Sequence, residues 1–259
     1  MRRRGRLVGE PRTRYNLAMT LTVTALWLYP VQSLRGQQME ALDFIADGLR
    51  LDRWFGIRDV ETGKMVGSSS AKRAWRPLVT WDARLLTPAD AAEPKVEIRF
   101  PEGDRIAGDD ATIDRVLSDR LGRAVEFLGR HGRPAPRRYD LAHCHLLTSA
   151  TLKRLNRSYP EGAFAPERFR PNMLLDCGDE VGFIEQPWLG RKIAAASGAV
   201  LEGTEDCKRC ALTTRAQGDL PSDPRILHTV IAENDTSAGI YARVAQAGRV
   251  AMGDAVRVG

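Results

Sequence analysis

Through the first half of the chain, apolar and polar positions alternate in short runs. Strand-like runs cover Thr20 to Tyr29, Gly56 to Val60, Lys64 to Val66 and Lys95 to Phe100, separated by turn residues. In the last run Val96, Ile98 and Phe100 alternate with polar neighbours. The following Pro101-Glu102-Gly103-Asp104 turn leads back into Arg105-Ile106-Ala107, which predicts a hairpin. From Asp110 the period changes. Ile113, Val116, Leu117, Leu121, Ala124, Val125 and Leu128 fall at helical spacing, with Asp109 or Asp110 able to cap the first turn. A second, shorter helix is predicted after Thr148 or Ser149, carrying Leu152 and Leu155 and closed by Pro160 and Gly162.

The last third returns to strands at Met173 to Leu175, Arg191 to Ile193, Val200 to Glu202, Ile240 to Val244 and Arg249 to Met252. Its end reads as two short strands around Gly253-Asp254. The indicated class is mainly β with peripheral helices (α+β), and a closed barrel would leave no unpaired sheet edge. The breaker-rich basic loop from His131 to Arg138 marks a boundary near residue 140.

Composition changes this picture little: 43% hydrophobic and 28% charged residues are ordinary for a globular chain of 259 residues. The net charge of +6 suggests nucleic acid until its position is considered. Residues 1–18 hold six arginines (Arg2, Arg3, Arg4, Arg6, Arg12 and Arg14) against Glu10, so the rest of the chain is almost neutral. That excludes the overall basic excess of a nucleic-acid binder but leaves room for a local anion site. The basic start is expected to be a disordered extension or the product of an early start codon. It is not expected to be a secretory signal, because Thr20, Thr22 and Thr24 interrupt the apolar stretch after it and no small-residue cleavage site follows. No run approaches the ~18 apolar residues of a membrane span. Four unevenly spaced cysteines without a signal peptide point to a reducing cytoplasm.

The densest chemistry lies in Cys207-Lys208-Arg209-Cys210, two thiols beside two cations that favour the thiolate form. By itself the spacing fits half of a zinc site, a redox dithiol, or one ligand with a spectator. His143-Cys144-His145 offers a second half for zinc. Its histidines alternate along an expected strand, so only one can join Cys207 and Cys210. Phe169-Arg170-Pro171-Asn172 can hold a planar or anionic ligand, or form an ordinary surface turn. Tyr29 to Gly36 is a strand ending in a polar loop.

Taken in order, these segments resemble the MOSC family, which is related to the C-terminal part of molybdenum cofactor sulfurase and includes the mitochondrial amidoxime-reducing component. The resemblance runs from Leu21 to Val258. The family's Tyr-Pro-x-Lys-Ser is met by Tyr29 to Ser33, its Asp-Arg-Trp by Asp52 to Trp54, and its Arg-Phe-Arg-Pro-Asn by Arg168 to Asn172. Its Cys-x-Arg-Cys is met by Cys207 to Cys210, and its Gly-x-Tyr by Gly239 to Tyr241.

With the basic extension over 1–18 set apart by its charge, the resemblance implies an N-terminal β-barrel-like domain over 19–139 and a β-barrel-like MOSC domain over 140–259, the two able to interleave in space. It further implies a molybdenum cofactor (molybdopterin), with Cys210 as the metal ligand and the catalytic residue. Ser33, Arg53, Asp140, Arg170, Asn172, Lys208, Arg209 and Tyr241 would surround the pterin and its phosphate. Gln32 stands where the family has lysine, and Ala238 where it has phenylalanine. The implied activity is reduction of small N-hydroxylated compounds. Cys144, Cys177, Cys207 and Cys210 match neither ferredoxin spacing, so the electrons would come from a separate flavin or iron-sulfur protein. The alternatives are a carrier of the cofactor or of sulfur without turnover, and a structural zinc protein.

Overall fold

The computed structural model describes residues 21–67, 73–136 and 143–259. Its strands and helices run in the order β1 (Leu21–Leu28), β2 (Gln37–Gln38), β3 (Ala41–Ile45), β4 (Gly48–Leu49) and β5 (Gly56–Asp59). A 3-10 helix (Arg73–Thr80) precedes β6 (Asp82–Leu85), β7 (Val96–Arg99), β8 (Arg105–Ala107), α1 (Ile113–Leu121) and β9 (Val125–Leu128). The second half follows with β10 (Cys144–Thr148), α2 (Ser149–Ser158), α3 (Pro166–Phe169), β11 (Met173–Asp176), β12 (Lys192–Ala195) and β13 (Val200–Lys208). The chain ends with α4 (Arg225–Asn234), β14 (Ser237–Gln246), β15 (Gly248–Ala251) and β16 (Ala255–Val258).

Seven strands close a barrel in the order β1-β11-β10-β14-β13-β12-β16, with β16 returning to β1. Within this ring β10 and β11 run parallel. Such a pair needs a crossover rather than a hairpin, and α2 with α3 supplies it. Bulges in β1 and β13 bend the sheet enough to close. Leu21, Val23 and Leu26 from β1 meet Leu146, Met173, Leu201, Ile240 and Val256 inside. β1 thus begins the chain's described part yet belongs to a barrel otherwise built from residues 144–258. β3 likewise pairs with β15, and Leu42 and Phe44 join the barrel's apolar cluster.

A second core gathers Val31, Phe55, Trp75, Leu78, Ile98, Leu117 and Phe127 around the β6-β7-β8 sheet, the β5-β9 pair and α1. The β7-β8 hairpin has the expected bounds. α1 is shorter than its pattern. Gly122 takes a left-handed conformation (φ 62°) and its N–H caps the Ser118 carbonyl, after which Val125 to Leu128 pairs with β5. Val125 and Leu128 are therefore strand residues, a correction to the helix expected through Leu128. Lys64 to Val66 makes only an isolated bridge from Met65 to Arg58 instead of the expected strand. α2 starts as expected, the Thr148 side chain accepting from the Thr151 N–H. Its Leu155 packs with Phe169, Ile226 and Val230 against the barrel wall. β15 and β16 flank Gly253-Asp254 but serve different sheets.

Candidate functional site

The strand exit after β1 sets the floor of the site. Tyr29 is buried, its N–H donates to Asp52 Oδ1 (3.0 Å), and its hydroxyl donates to the Pro171 carbonyl (3.1 Å). Two guanidiniums lie over its ring, Arg170 at 4.3 Å and Arg53 at 5.3 Å from the centroid. Both arginines have left-handed backbones (φ 55°), Arg170 as the C-cap of α3. Ser33 (φ 74°) and Thr236 (φ 68°) share this unusual conformation nearby. Backbone held in a disfavoured region needs surrounding structure that over-determines it, which is common at binding sites.

Asp52 is the carboxylate that organises the cations. It bonds Arg53, the Tyr29 N–H and the Asn172 amide (3.1 Å). Desolvation alone would lower the Arg53 pKa, but Asp52, with Tyr241 and Tyr29 behind it, turns the net shift upward. Arg170 is 8% exposed, and burial, aided by repulsion from Arg53 and Arg209, pulls its pKa down to about 10. It remains a cation at neutral pH.

Arg209 completes the cluster from the end of β13. Its Nη2 donates to the Phe169 carbonyl (2.6 Å), its Nη1 donates to the Cys207 sulfur, and its backbone N–H donates to the Thr236 carbonyl (2.7 Å). Its Nε is buried without a partner. The Tyr241 hydroxyl, pushed upward in pKa first by burial and then by Cys207, hydrogen-bonds to the Cys207 sulfur. The Tyr241 ring lies 5.6 Å from that of His145. His145 has Nδ1 3.3 Å from the Arg170 carbonyl and Nε2 3.3 Å from the Ala238 carbonyl, and a neutral ring donates to one of them. Burial, with Arg209 and Arg53 close by, lowers its pKa to about 3. Gly239 (φ 82°) is demanded here, since a Cβ would sit 2.3 Å from His145 Nε2.

Cys207 is fully buried while Cys210, the N-cap of the short helix Ala211–Thr214, is exposed. The two thiols therefore occupy different environments. Among the described residues no three His, Cys, Asp or Glu side chains converge as metal ligands, so the alternative zinc site is not assembled.

Of the residues expected at the site, Arg53, Arg170, Arg209 and Tyr241 gather around Tyr29 and Cys207, and Cys210, three residues on along an extended backbone, is exposed to solvent. Ser33 Oγ donates to the Val66 carbonyl (3.2 Å). Asn172 is fully buried and its amide is spent within the protein, donating to Trp27 O and Asp52 Oδ1 and accepting from the His145 N–H. It ties β1 to β10 beneath the pocket. Lys208 turns to Asp235 (3.0 Å) on the surface. Asp140 lies outside the described residues, as does the 1–18 extension. Sequence reasoning did not assign Asp52 to the site and read His145 only as a candidate zinc ligand. Asp52 was the more legible of the two, an acid directly before a pocket arginine.

The MOSC domain model matches residues 137–257, and the MOSC N-terminal beta barrel domain model matches residues 20–114. The chain belongs to the MOSC family. MOSC domains occur in molybdenum cofactor sulfurase-like proteins, and the family is associated with that cofactor. The fold of this MOSC protein is similar to that of the YUAD protein from Bacillus subtilis, with a TM-score of 0.51 and 13% identity over 93% of this chain and 96% of that one. A weaker likeness, TM-score 0.35 at 18% identity, links 46% of the chain to 54% of YiiM from Geobacillus stearothermophilus. No curated protein matches the chain at a significant level. Among the described residues no helix is long and apolar enough to cross a membrane.

The residues present suit a molybdopterin. Arg170 and Arg53 lie over the buried Tyr29 ring, Arg209 lies over the neighbouring Phe169, and the unpartnered Arg209 Nε is a donor free to take an anion. Three residues after the buried Cys207, Cys210 offers an exposed thiol for a soft metal.

Proposed function

We propose that this MOSC protein is a molybdenum-cofactor-binding oxidoreductase that reduces small N-hydroxylated compounds, such as hydroxylamines, amidoximes or N-hydroxylated bases. The observation that carries the reading is the cluster of Arg53 and Arg170 over Tyr29 with Arg209 on Cys207, and the exposed Cys210 three residues further along the chain. Arg170 and Arg209 would hold the pterin's phosphate, with the Arg209 Nε as the uncommitted donor. Arg53, Ser33 and Tyr241 would line the pterin. Asn172 supports them by fixing the strands below, and Cys210 would bind the metal through sulfur. Asp140 belongs to the proposed set. Lys208, paired with Asp235, would add positive potential without contact.

When bound, the molybdenum centre supplies two-electron chemistry that removes oxygen from an N–O bond. The chain's own part is to orient the substrate beside Cys210 and to keep charges and protons in place. Tyr241, raised in pKa by burial, keeps its phenolic proton on oxygen, and His145 stays neutral. Net, the N–O bond is replaced by N–H and the oxygen leaves as water. The electrons come from a separate flavin or iron-sulfur protein, and the protons come from solvent. All four cysteines are free thiols, and on that basis we assign the protein to the cytoplasm.

One observation favours a second reading, a carrier of the cofactor or of sulfur. Cys210 is the exposed cysteine, so a persulfide handed over by a donor protein would reside there. The test is metal and pterin analysis of the protein made in a host that synthesises the cofactor, beside Cys210→Ala, followed by an assay of electron consumption. Molybdenum and pterin in the native protein, reduced metal in the variant, and electron uptake that depends on an N-hydroxylated substrate are expected. Cofactor without substrate-dependent uptake would favour the carrier, and absence of pterin would end both readings.

A further inference from the structure

Two residues before Arg170, a second guanidinium is used in a different way. Arg168 is fully buried and has no carboxylate partner among its hydrogen bonds. Its Nε donates to the Ala163 carbonyl (2.7 Å), its Nη1 to those of Thr213 and Arg215 (both 3.2 Å), and its Nη2 to that of Pro221 (2.7 Å). Burial pulls its pKa down, and Asp223 opposes that shift. A buried cation bonded only to main-chain carbonyls is costly as a stabiliser, whereas its planar fork of donors suits the templating of one backbone path.

Three of the four carbonyls lie in the segment that follows Cys210, beyond β13 and before α4. Thr213 in turn donates twice to the Cys210 carbonyl, from its N–H (3.1 Å) and its hydroxyl (3.0 Å). Across the segment, Gly218 packs on the Arg35 guanidinium so closely that a Cβ would lie 2.9 Å from Nη2. The Gln217 side chain, 3% exposed, keeps its Nε2 buried without a partner, a donor left over once the turn is formed. The segment has no sheet or long helix to hold it, so its carbonyls depend on donors brought from elsewhere.

We propose that Arg168 is a positioning residue: it fixes the Thr213 to Pro221 turn and, through Thr213, the placement of Cys210. The functional consequence rests on the role proposed for Cys210, but the geometry can be tested without cofactor. A nitroxide label attached to Cys210 of the full chain reports its mobility, since Cys144, Cys177 and Cys207 are buried. Trypsin cleavage after Arg215 reports opening of the turn.

In Arg168→Ala the label is expected to become mobile and cleavage to rise about tenfold or more, the loss of one charge-assisted hydrogen bond or more in the closed state. Millimolar guanidinium should restore both readouts toward those of the native protein, which a general loss of stability would not allow. Where the alanine variant does not fold, Arg168→Lys serves: it keeps the charge and loses the fork, and intermediate mobility is expected. An immobile label with unchanged cleavage in a folded variant would overturn the proposal, as would mobility that guanidinium does not reverse. A mobile label in a protein that binds no pterin would leave this inference standing while the oxidoreductase reading fell. An immobile label on Arg168→Ala, while the unlabelled native protein reduces substrate, would sink this inference alone.

Discussion

The Arg170 guanidinium lies 4.3 Å from the centroid of the Tyr29 ring, and the Tyr29 hydroxyl donates to the carbonyl of Pro171, the next residue along. One side chain just past the first strand thus holds both the charge and the backbone of a turn about 140 residues away. Arg170→Met should keep the stacked volume and remove the charge. We expect molybdenum and pterin content after purification to fall about tenfold, from loss of a charge-assisted contact worth ~1.5 kcal/mol or more, with little change in Tm. Metal analysis and thermal melting read the two effects separately.

Asp52→Ala should act on the fold before the ligand. It strands Arg53 and the Asn172 amide, and it removes the acceptor of a buried N–H. Because Arg53 is partly exposed, the expected cost is about 3 kcal/mol, at the low end for breaking a buried pair. Urea denaturation of the cofactor-free protein checks it.

Gly239→Ala tests whether this position needs glycine for more than its backbone angle. The new methyl would meet His145 Nε2 at 2.3 Å and the Leu146 carbonyl at 2.4 Å, at a φ of 82°. Left-handed strain and a clash with buried groups together predict a loss of ~3 kcal/mol or more. A melting temperature within a few degrees of the native protein would refute this.

Acid should weaken the fold through His145. Its folded pKa of about 3 lies below the unfolded value near 6.5, so between these the unfolded chain binds the extra proton. The stability contributed is complete above about pH 6.5 and is lost as pH falls toward 3, with a slope of up to ~1.4 kcal/mol per pH unit. Glu185, buried and raised in pKa by desolvation, works in the opposite sense, losing its contribution as pH rises. Urea midpoints at pH 7 and 5 should therefore differ less in His145→Gln than in the native protein.

Lys208→Ala should be nearly silent. Its ammonium pairs with the exposed Asp235, a contact worth about 0–1 kcal/mol, so pterin content and Tm are expected to stay within error. A marked loss of pterin would place Lys208 in direct contact with the ligand.

Much of the site was legible because the chemistry falls in short stretches. Cys207 to Cys210 and Phe169 to Asn172 stood out by residue type, but each left an ordinary structural reading open until the family resemblance joined them into one site. Their roles were less legible. Asn172 looked like a ligand contact but is a strand tie, and Lys208 looked like part of the pocket but faces Asp235. Side-chain direction at the end of a strand depends on twist and register, which local pattern does not carry. The helix expected to reach Leu128 failed for a related reason: Gly122 stops it, and Val125 to Leu128 satisfy a strand partner as well as a helical period.

By itself the sequence determined the β-rich class, the β7-β8 hairpin, the start of α2 and the residue types of the pocket, because alternation, turn residues and caps act over a few neighbours. Tertiary structure alone decided that β1 closes a barrel made by the second half of the chain. It also decided that Arg53 and Arg170 converge on Tyr29 while Arg209 reaches Phe169 and Cys207, that Cys207 is buried while Cys210 is open, and that Arg168 braces the turn between them and α4. These depend on contacts between residues far apart in the chain, where packing and burial choose among arrangements that local preference leaves equal.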